Sequence, residues 1–397
     1  MSSRWRSVAL VIAVAGCSTQ AEVGEVTLLS QSVETVAGVE RITISGPAPS
    51  WRLEPILTLG SEGGLEEAAP DEFGEIISLT TDDRGRLYVA DRISHSIKVF
   101  DTDGTLVTEF GREGQGPGEF MRIYSIAWVG ETLLTLDFGN GRIGELSADG
   151  EWVGQRPAPG RVSGSASMLR FYPVSDDRVI QWSLRSEDGR SQRLWIEHGP
   201  DGVVGEWPQE RFDPPDDRGV VCNDPSGVIG FYGHPADPKM YRHPTTEGRE
   251  YISWSASYRV ALVGAEGDTL RVIEREQAPV PVSDSVWEAG LGELATFREN
   301  YPDASCNPRG FERPAVGPAL RNLLVDAAGR LWVEAITPNG IRWEIFGADG
   351  RLVGSLPAID YDDDIAPSIR GDLLAWRSTD ELGVHYAHLA RIVVPTN

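Results

Sequence analysis

Four polar residues are candidates for a functional site, because the sequence places them at comparable points of a recurring pattern. Asp91 and Asp137 each end a short apolar segment, and Arg377 takes the corresponding position near the C-terminus, while His95 closely follows Asp91. Carboxylates, an imidazole and a guanidinium that converge can bind cations or polar ligands and can transfer protons. Asp91, His95, Asp137 and Arg377 are therefore candidates for a polar site at the face or channel mouth of the protein, and a structural role in bracing neighbouring loops is the alternative.

The recurring pattern does not place a carboxylate in every copy. Ser183 and Ala335 stand at the equivalent positions of two other copies. A complete ring of carboxylates, which would favour cation binding at the centre of a repeat protein, is therefore not predicted.

Metal ligation has weak support in the sequence. The chain has six histidines, which are His95, His198, His234, His243, His385 and His388. None forms the helical pair that zinc enzymes use, and His385 and His388 on one strand would face opposite sides of a sheet. The acidic segments Tyr361–Pro367 and Asp213–Asp217 could attract Ca²⁺, but they lack the alternating ligands and glycine of a dedicated calcium loop. The sequence thus gives weak support for Ca²⁺ as a cofactor and assigns no metal ligands.

Motifs for covalent catalysis are missing, so no catalytic residue is assigned. No Gly-x-Ser-x-Gly elbow stands between a strand and a helix, and "GRVSGSAS" (Gly160–Ser167) is typical of turns. The glycine-rich segment Gly111–Phe120 lacks the lysine and the following helix of a phosphate-binding loop. The sequence therefore leaves open whether the protein is an enzyme.

Composition and charge restrict the fold and the partners. The chain has 397 residues with 44 Gly, 26 Pro and a net charge of −24. So many turn residues with few helix-like runs predict an all-β chain of short strands. The acidic balance argues against nucleic acid, which needs clustered Lys and Arg.

The elements that would position these residues recur along the chain. Leu57–Asp91 and Val107–Asp137 share the order strand, Gly-x-x-Gly, loop, Phe, strand, turn, strand, Asp, and weaker copies begin at Asp176 and Asp326. An acidic residue followed by Gly marks a hairpin turn in five places, at Gly104, Gly150, Gly202, Gly267 and Gly350. The first of these turns lie about 50 residues apart, as four-stranded blades require.

Repeated four-stranded units predict a six-bladed β-propeller over residues 40–397. We expect the inner strands of the blades to begin near Ile76, Ile123, Met168, Gly227, Leu320 and Ile365. The last blade lacks an outer strand, and Trp51–Leu59 can supply it and close the ring. Val282–Pro302 has helical spacing with an N-cap at Ser283 or Asp284, which predicts a helix within an insertion at about 275–318.

The segment "GRLYVADRISHSIKVFDTDGTLVTEFG" (Gly85–Gly111) resembles an NHL repeat. The motif positions are Asp91, His95, Ile97, Val99, Phe100 and Gly104. The resemblance implies a propeller in which the Asp and His of this region brace neighbouring loops. It also implies a rival function, because six-bladed lactonases and amidating lyases hold Ca²⁺ or Zn²⁺ in the central channel.

The N-terminus predicts export. Arg4 and Arg6 precede the apolar run Val8–Ala15, which is too short to span a membrane and is typical of a signal peptide. The following "VAGC" resembles the lipobox of bacterial lipoproteins, which implies lipidation of Cys17 and, with Ser18 next, the outer membrane of a Gram-negative cell, on its periplasmic side or at the surface. An ordinary signal peptide is the alternative. Residues 1–16 would then be the signal peptide and 17–39 a tether.

Two cysteines remain after Cys17. In an exported protein, Cys222 and Cys306 are expected to form a disulfide, and two free buried thiols are the alternative.

Two functions are compatible with these features. The first is an envelope-anchored lipoprotein, monomeric, whose propeller face binds a protein or carbohydrate partner. The alternative is a metal-dependent lactonase-like hydrolase or lyase that acts in the central channel with Ca²⁺ or Zn²⁺.

Overall fold

A computed structural model describes residues 28–61, 69–158, 170–187, 190–209, 219–308 and 310–395. The expected signal peptide, the lipidation site Cys17, the first part of the expected tether, Met168 and the acidic segment Asp213–Asp217 lie outside these residues.

The first three blades follow one another along the chain, each with its strands in sequence order across the sheet. Blade 1 consists of Ile76–Thr81, Leu87–Asp91, Ser96–Phe100 and Leu106–Phe110. Blade 2 consists of Ile123–Val129, Thr132–Asp137, Arg142–Leu146 and Trp152–Pro157. Blade 3 consists of Phe171–Ser175, Arg178–Glu187, Arg190–Gly199 and Gly202–Pro208.

Blades 4 and 6 each include strands from the N-terminal part of the chain, whereas blade 5 does not. Blade 4 consists of Met240–Pro244, Glu250–Trp254, Arg259–Val263 and Thr269–Arg275, followed outward by Val39–Ser45 and Ser30–Val36. Blade 5 consists of Leu320–Val325, Leu331–Thr337, Gly340–Phe346 and Leu352–Pro357. Blade 6 consists of Ser368–Arg370, Leu373–Thr379, His385–Val393 and, at its outer edge, Arg52–Leu59. The all-β six-bladed propeller is thereby confirmed.

Two predicted boundaries were wrong. Gly227 does not begin blade 4: it lies in a turn before Ile229–Tyr232, a strand of a small separate sheet, and blade 4 begins at Met240. A short apolar strand beside a glycine has the same local pattern in either sheet, so the pattern could not separate them. The expected tether was also too long, because Ser30–Val36 pairs with Val39–Ser45 and extends blade 4.

The N-terminal strand closes the ring as predicted. Arg52–Leu59 pairs antiparallel with His385–Val393, with Thr58 opposite His388 and Leu53 opposite Ile392. Just before it, Trp51 is buried and its ring meets the edge of Trp332 in blade 5 at a centroid distance of 6.5 Å. The seam therefore joins the last blade both to the start of the chain and to its neighbour.

Turns are held by two recurrent devices. In the predicted acidic-Gly turns all five glycines have positive φ, from 79° to 124°, which glycine adopts without steric cost. In the turn after the first strand of blade 1, the Asp82 carboxylate accepts the backbone N–H groups of Arg84 and Arg86 and the Arg86 Nε–H. Asp326 and Asp380 accept backbone N–H groups in the same way in blades 5 and 6.

The hydrophobic core lies between neighbouring blades. The buried clusters combine the facing sides of blades 1 and 2, 4 and 5, 5 and 6, and 6 and 1. Tyr88 of blade 1 meets Trp128 of blade 2 edge-on at 5.2 Å between ring centroids, a favoured geometry for aromatic pairs. Trp128 and Trp332 therefore both pack between neighbouring blades.

The insertions form a small lobe attached to blades 3 to 5. The helix Asp284–Asn300 begins after Ser283, whose Oγ accepts the Val286 N–H, as the sequence predicted. Its buried Leu294 and Phe297 pack with the sheet of Val220–Asn223, Ile229–Tyr232 and Ser305–Asn307. The predicted Cys222–Cys306 disulfide is present and joins two of these strands. No helix in the described part of the chain is long and apolar enough to cross a membrane.

Deleting residues 51–60 should destabilise the whole ring, because it leaves the outer side of His385–Val393 in blade 6 unpaired and removes buried Trp51 from its contact with blade 5. We expect the melting temperature, measured by circular dichroism, to fall by about 10 °C or more, as a loss of several kcal/mol implies.

The matched control is a chain that begins at residue 39, which loses only the outermost strand of blade 4 and should melt close to the intact protein. A 51–60 deletion that melts at the wild-type temperature would contradict the closure of the ring by this strand.

Candidate functional site

One face of the propeller carries the loops that follow the second and fourth strands of each blade, and we call it the loop face. Asp91 and Asp137 end the second strands of blades 1 and 2. The small lobe also emerges here, because its segments follow the fourth strands of blades 3 and 4. The loop face therefore carries both carboxylates and the inserted lobe, and surface loops on a rigid scaffold are a common place for binding sites.

Asp91 is a brace between an inter-blade loop and a turn. Its buried carboxylate accepts the backbone N–H groups of Gly74, Glu75, Ile93 and Ser94 at 2.8 to 3.4 Å. Burial alone would raise the pKa of this carboxyl, but these four donors hold the pKa below its usual range.

Asp137 has the same role in blade 2. Its carboxylate accepts the Arg122 backbone N–H at 3.0 Å and the Asn140 side-chain amide at 2.5 Å. The Arg142 guanidinium lies 3.6 Å away and balances the fully buried charge.

Arg377 is also occupied by neighbouring groups. Its guanidinium donates to Asp362 and Asp364, both at 2.6 Å, and to the Ile76 carbonyl of blade 1 at 2.7 Å. His95 has φ of +56°, and its Nδ1 is buried without a hydrogen-bond partner among the described residues.

The four predicted site residues share no direct polar contact, although Asp91 stands opposite Ile76 in the sheet and Arg377 donates to the Ile76 carbonyl. Within the described residues, Asp91, His95, Asp137 and Arg377 make no hydrogen bond or ion pair with one another. Asp91, Asp137 and Arg377 instead fix loops of blades 1, 2 and 6, and their polar atoms are taken up in doing so. Their positions supply the rigid frame of the loop face.

Metal ligands are not gathered in the part of the chain that the structure describes. There, no group of three or more His, Cys, Asp or Glu side chains is arranged to hold an ion. In the predicted acidic segment Tyr361–Pro367, two carboxylates are instead paired with Arg377.

The central channel is narrow. Inner strands of all six blades surround a cavity of about 80 Å³. Serines link these strands: the Ser78 Oγ accepts the Ile126 N–H at 3.1 Å, and the Ser125 Oγ accepts the Phe171 N–H at 3.0 Å. Such a channel admits a few water molecules rather than a substrate of drug size.

A larger cavity of about 380 Å³ opens between blades 3, 4 and 5, and we call it the groove. It lies on the loop-face side, because it is lined by the first residues of the inner strand of blade 4 and by Gln209 after the last strand of blade 3. Its lining consists of Arg170, Tyr172, Trp182, Arg193, Trp195, Gln209, Met240, Tyr241, Arg242, Asn322 and Leu323. Among these described lining residues are three arginines and four aromatic residues, and none carries a carboxylate.

The aromatic floor follows from strand register in blade 3. Trp182 and Trp195 stand directly opposite each other on the two middle strands, and Tyr172 meets Trp195 edge-on at a centroid distance of 5.3 Å. The Trp182 indole N–H donates to Gln209 at 3.0 Å, and the Trp195 indole N–H donates to Glu250 at 3.3 Å. The floor is therefore fixed by packing and by hydrogen bonds together.

The arginines differ in how much of their charge is already balanced. The Arg242 guanidinium lies 3.6 Å from Glu250, whereas Arg193 is exposed. The Arg170 guanidinium lies over the Tyr172 ring at 4.4 Å, and its Nε is buried with no hydrogen-bond partner among the described residues. Arg170 therefore has donor capacity that a ligand could use.

His243 separates the groove from the channel and adds no charge. Burial, with a contribution from the nearby Arg170, lowers the pKa of its imidazole to about 3. At neutral pH the ring is uncharged, and its Nδ1–H donates to the Pro244 carbonyl at 2.9 Å. The positive charge of the groove thus comes from arginines alone.

The sequence did not reveal the groove. Its residues come from three blades and stand next to no recognisable motif, since Arg170 precedes an ordinary strand and Tyr241 and Arg242 begin another. The pairing of Trp182 with Trp195 was a usable signal, but only after the strand register was known.

Comparison with known proteins supports the fold. The sequence model of the family described as DUF5128, a 6-bladed beta-propeller, matches residues 69–193, which span blades 1 and 2 and reach into blade 3. No curated protein matches the chain.

Solved structures resemble the chain at low identity. A member of the DUF4221 family from Bacteroides vulgatus has 11% identity and a TM-score of 0.42, with 88% of this chain and 100% of that one covered. A Bacteroides fragilis protein provisionally described as exported has 11% identity and a TM-score of 0.41, with coverage of 86% and 96%. Virginiamycin B lyase from Staphylococcus aureus has 9% identity and a TM-score of 0.39, with coverage of 87% and 100%. Function does not follow from such likenesses.

Replacing Asp91 with Asn should destabilise the protein by about 1–3 kcal/mol at neutral pH, because an amide cannot accept four backbone N–H groups. Urea denaturation measures this difference. Since the pKa is lowered on folding, the stabilisation is present above the unfolded pKa of about 3.9 and is lost as the pH falls through the folded value. The wild type and the variant should therefore converge in stability at acidic pH.

The exposed Asp303 provides the control, because Asp303→Asn removes the same charge without a brace. Equal stability of Asp91→Asn and Asp303→Asn at pH 7 would contradict the bracing role.

Proposed function

We propose that the protein is an exported, lipid-anchored binding protein of the cell envelope, whose groove holds a carbohydrate partner. The observation that carries the proposal is the groove itself: a concave site of about 380 Å³ with an aromatic floor and polar walls on the loop face. Its volume falls within the range of about 300–1,000 Å³ that is usual for small-molecule sites.

A carbohydrate fits this site better than a protein does. Protein partners usually occupy broad, nearly flat surfaces of about 800 Å² a side, whereas the groove is a short concavity between blades. The side chains of Arg193, Gln209 and Asn322 can donate hydrogen bonds to the hydroxyl groups of a sugar. The rings of Tyr172 and Tyr241 offer apolar surface to the sugar ring.

The metal-dependent hydrolase or lyase is not favoured by any described feature. The channel is too small for a lactone of ordinary size, and the described residues offer no convergent metal ligands. A binding role needs no such set, because propellers host binding and catalytic functions alike.

Envelope location is supported by the N-terminal sequence. The short apolar run before Cys17 is typical of an export signal, and a lipidated Cys17 would hold the propeller at a membrane through its acyl chains. The first described strand, Ser30–Val36, forms the outer edge of blade 4, so the tether would join the ring at its rim and leave the loop face open.

Filling the groove should abolish carbohydrate binding. We expect residues 18–397, which retain every described strand, to bind saturably to members of an array of neutral and acidic oligosaccharides. Met240→Trp places a bulky ring in the groove and should lower the affinity for those members by about tenfold or more.

Val107→Trp is the matched control, because it adds the same ring to an exposed position on the outer strand of blade 1. Absence of any saturable glycan binding would refute the proposed function, as would equal binding by the Met240→Trp and Val107→Trp proteins.

A further inference from the structure

We infer that the ligand of the groove is an acidic saccharide whose carboxylate is bound by Arg170 and Arg193. This inference rests on the proposed function, because it names the chemical class of ligand for the same site. It depends on the arginines of the groove, whereas the proposed function depends on its shape.

The charge of the groove is opposite to that of the protein. The chain has a net charge of −24, with 60 acidic and 36 basic residues, yet the described residues that line the groove include three arginines and no carboxylate. A random sample of this surface would contain more acidic than basic groups. A positive site in an acidic protein attracts anions, while the surrounding surface repels those that do not fit.

Arg170 is the best-placed of the three arginines. Its guanidinium is held against the Tyr172 ring, so the side chain is oriented before a ligand arrives, and its buried Nε lacks a hydrogen-bond partner in the described part of the chain. Arg170 makes no hydrogen bond or ion pair with the other described residues, so the charge of its guanidinium is available to a carboxylate. The planar guanidinium also matches a carboxylate through two parallel hydrogen bonds.

Other charges near the groove leave room for one anion. Glu250 accepts the Trp195 indole N–H and lies 3.6 Å from the Arg242 guanidinium, so it offsets the charge of that arginine. His243 is neutral because burial lowers its pKa to about 3. Burial and the nearby Asp363 raise the pKa of Tyr241 to about 12, so its phenol remains a neutral donor.

The other lining residues have the polar groups and aromatic rings that bind a saccharide. Gln209 and Asn322 supply polar side chains opposite the arginines, and Tyr172 and Tyr241 supply ring surface. A small inorganic anion would leave most of the roughly 380 Å³ unfilled, whereas a uronic acid joined to one or two further sugars extends across blades 3 to 5.

The test compares three probes by isothermal titration calorimetry on residues 18–397. Trigalacturonic acid carries one carboxylate per sugar, its methyl ester has the same rings without charge, and glucose 6-phosphate offers a phosphate. We expect trigalacturonic acid to bind at least about tenfold more tightly than either of the others.

Arg170→Gln should lower the affinity for trigalacturonic acid by about tenfold or more, and Arg193→Gln, at an exposed position less demanding for folding, should weaken it in the same direction. The control Arg52→Gln removes the same charge from the outer strand of blade 6 and should leave the affinity unchanged. Binding should also weaken as salt is raised, as expected for an ionic contact.

The outcomes separate this inference from the proposed function. Equal binding of the acid and its ester, tighter binding of the phosphate, or no binding of the acid would overturn the acidic-saccharide inference. The proposed function would still stand on the array if Met240→Trp abolished binding of a neutral glycan, and it would fail there if no glycan bound. Equal affinities of the Arg170→Gln, Arg193→Gln and Arg52→Gln proteins would likewise overturn the role of the arginines.

Discussion

Antiparallel pairing between Arg52–Leu59 and His385–Val393 is the constraint on which the rest of the structure depends. A ring of blades has no central hydrophobic core, because each pair of neighbours buries its own cluster. The ring holds its diameter only if every interface, including the last, is formed. A strand from the other end of the chain completes the last blade by sheet hydrogen bonds, so His385–Val393 does not remain an unpaired edge.

Buried charged side chains on the loop face also help to hold the closed ring together. Arg377 of blade 6 donates to the Ile76 carbonyl of blade 1, and the His385 Nδ1 accepts the Ile76 N–H at 2.9 Å, so side chains of the last blade hold the first strand of the first. Asp91 and Asp137 then fix the following loops. The geometry of the groove depends on these contacts between blades. Its walls belong to three separate blades, and no covalent bond within the groove joins them.

The sequence predicted those features that depend on local chemistry. Acidic-Gly turns, alternating strands and the Ser283 cap each act within a few residues, so the propeller, the closing strand and the helix were foreseen. Ser30–Val36 was missed because its side chains are mostly exposed and so show no apolar alternation, although its partner Val39–Ser45 buries Ile42 and Ile44. Gly227 was misassigned because the small sheet of the lobe uses the same strand-turn pattern as a blade. No pattern in the sequence marked Arg170 and Tyr241 as groove residues. The two lie far apart in the sequence and line the same groove only in the folded ring.

The central claim is that a positive groove in an acidic propeller selects a carboxylate-bearing sugar. The most direct measurement is a crystal structure of residues 18–397 grown with saturating trigalacturonic acid. The account predicts electron density for the saccharide in the groove between blades 3 and 5, with a carboxylate within hydrogen-bonding distance of the Arg170 guanidinium. An empty groove at saturation, or a saccharide bound elsewhere on the ring, would contradict it.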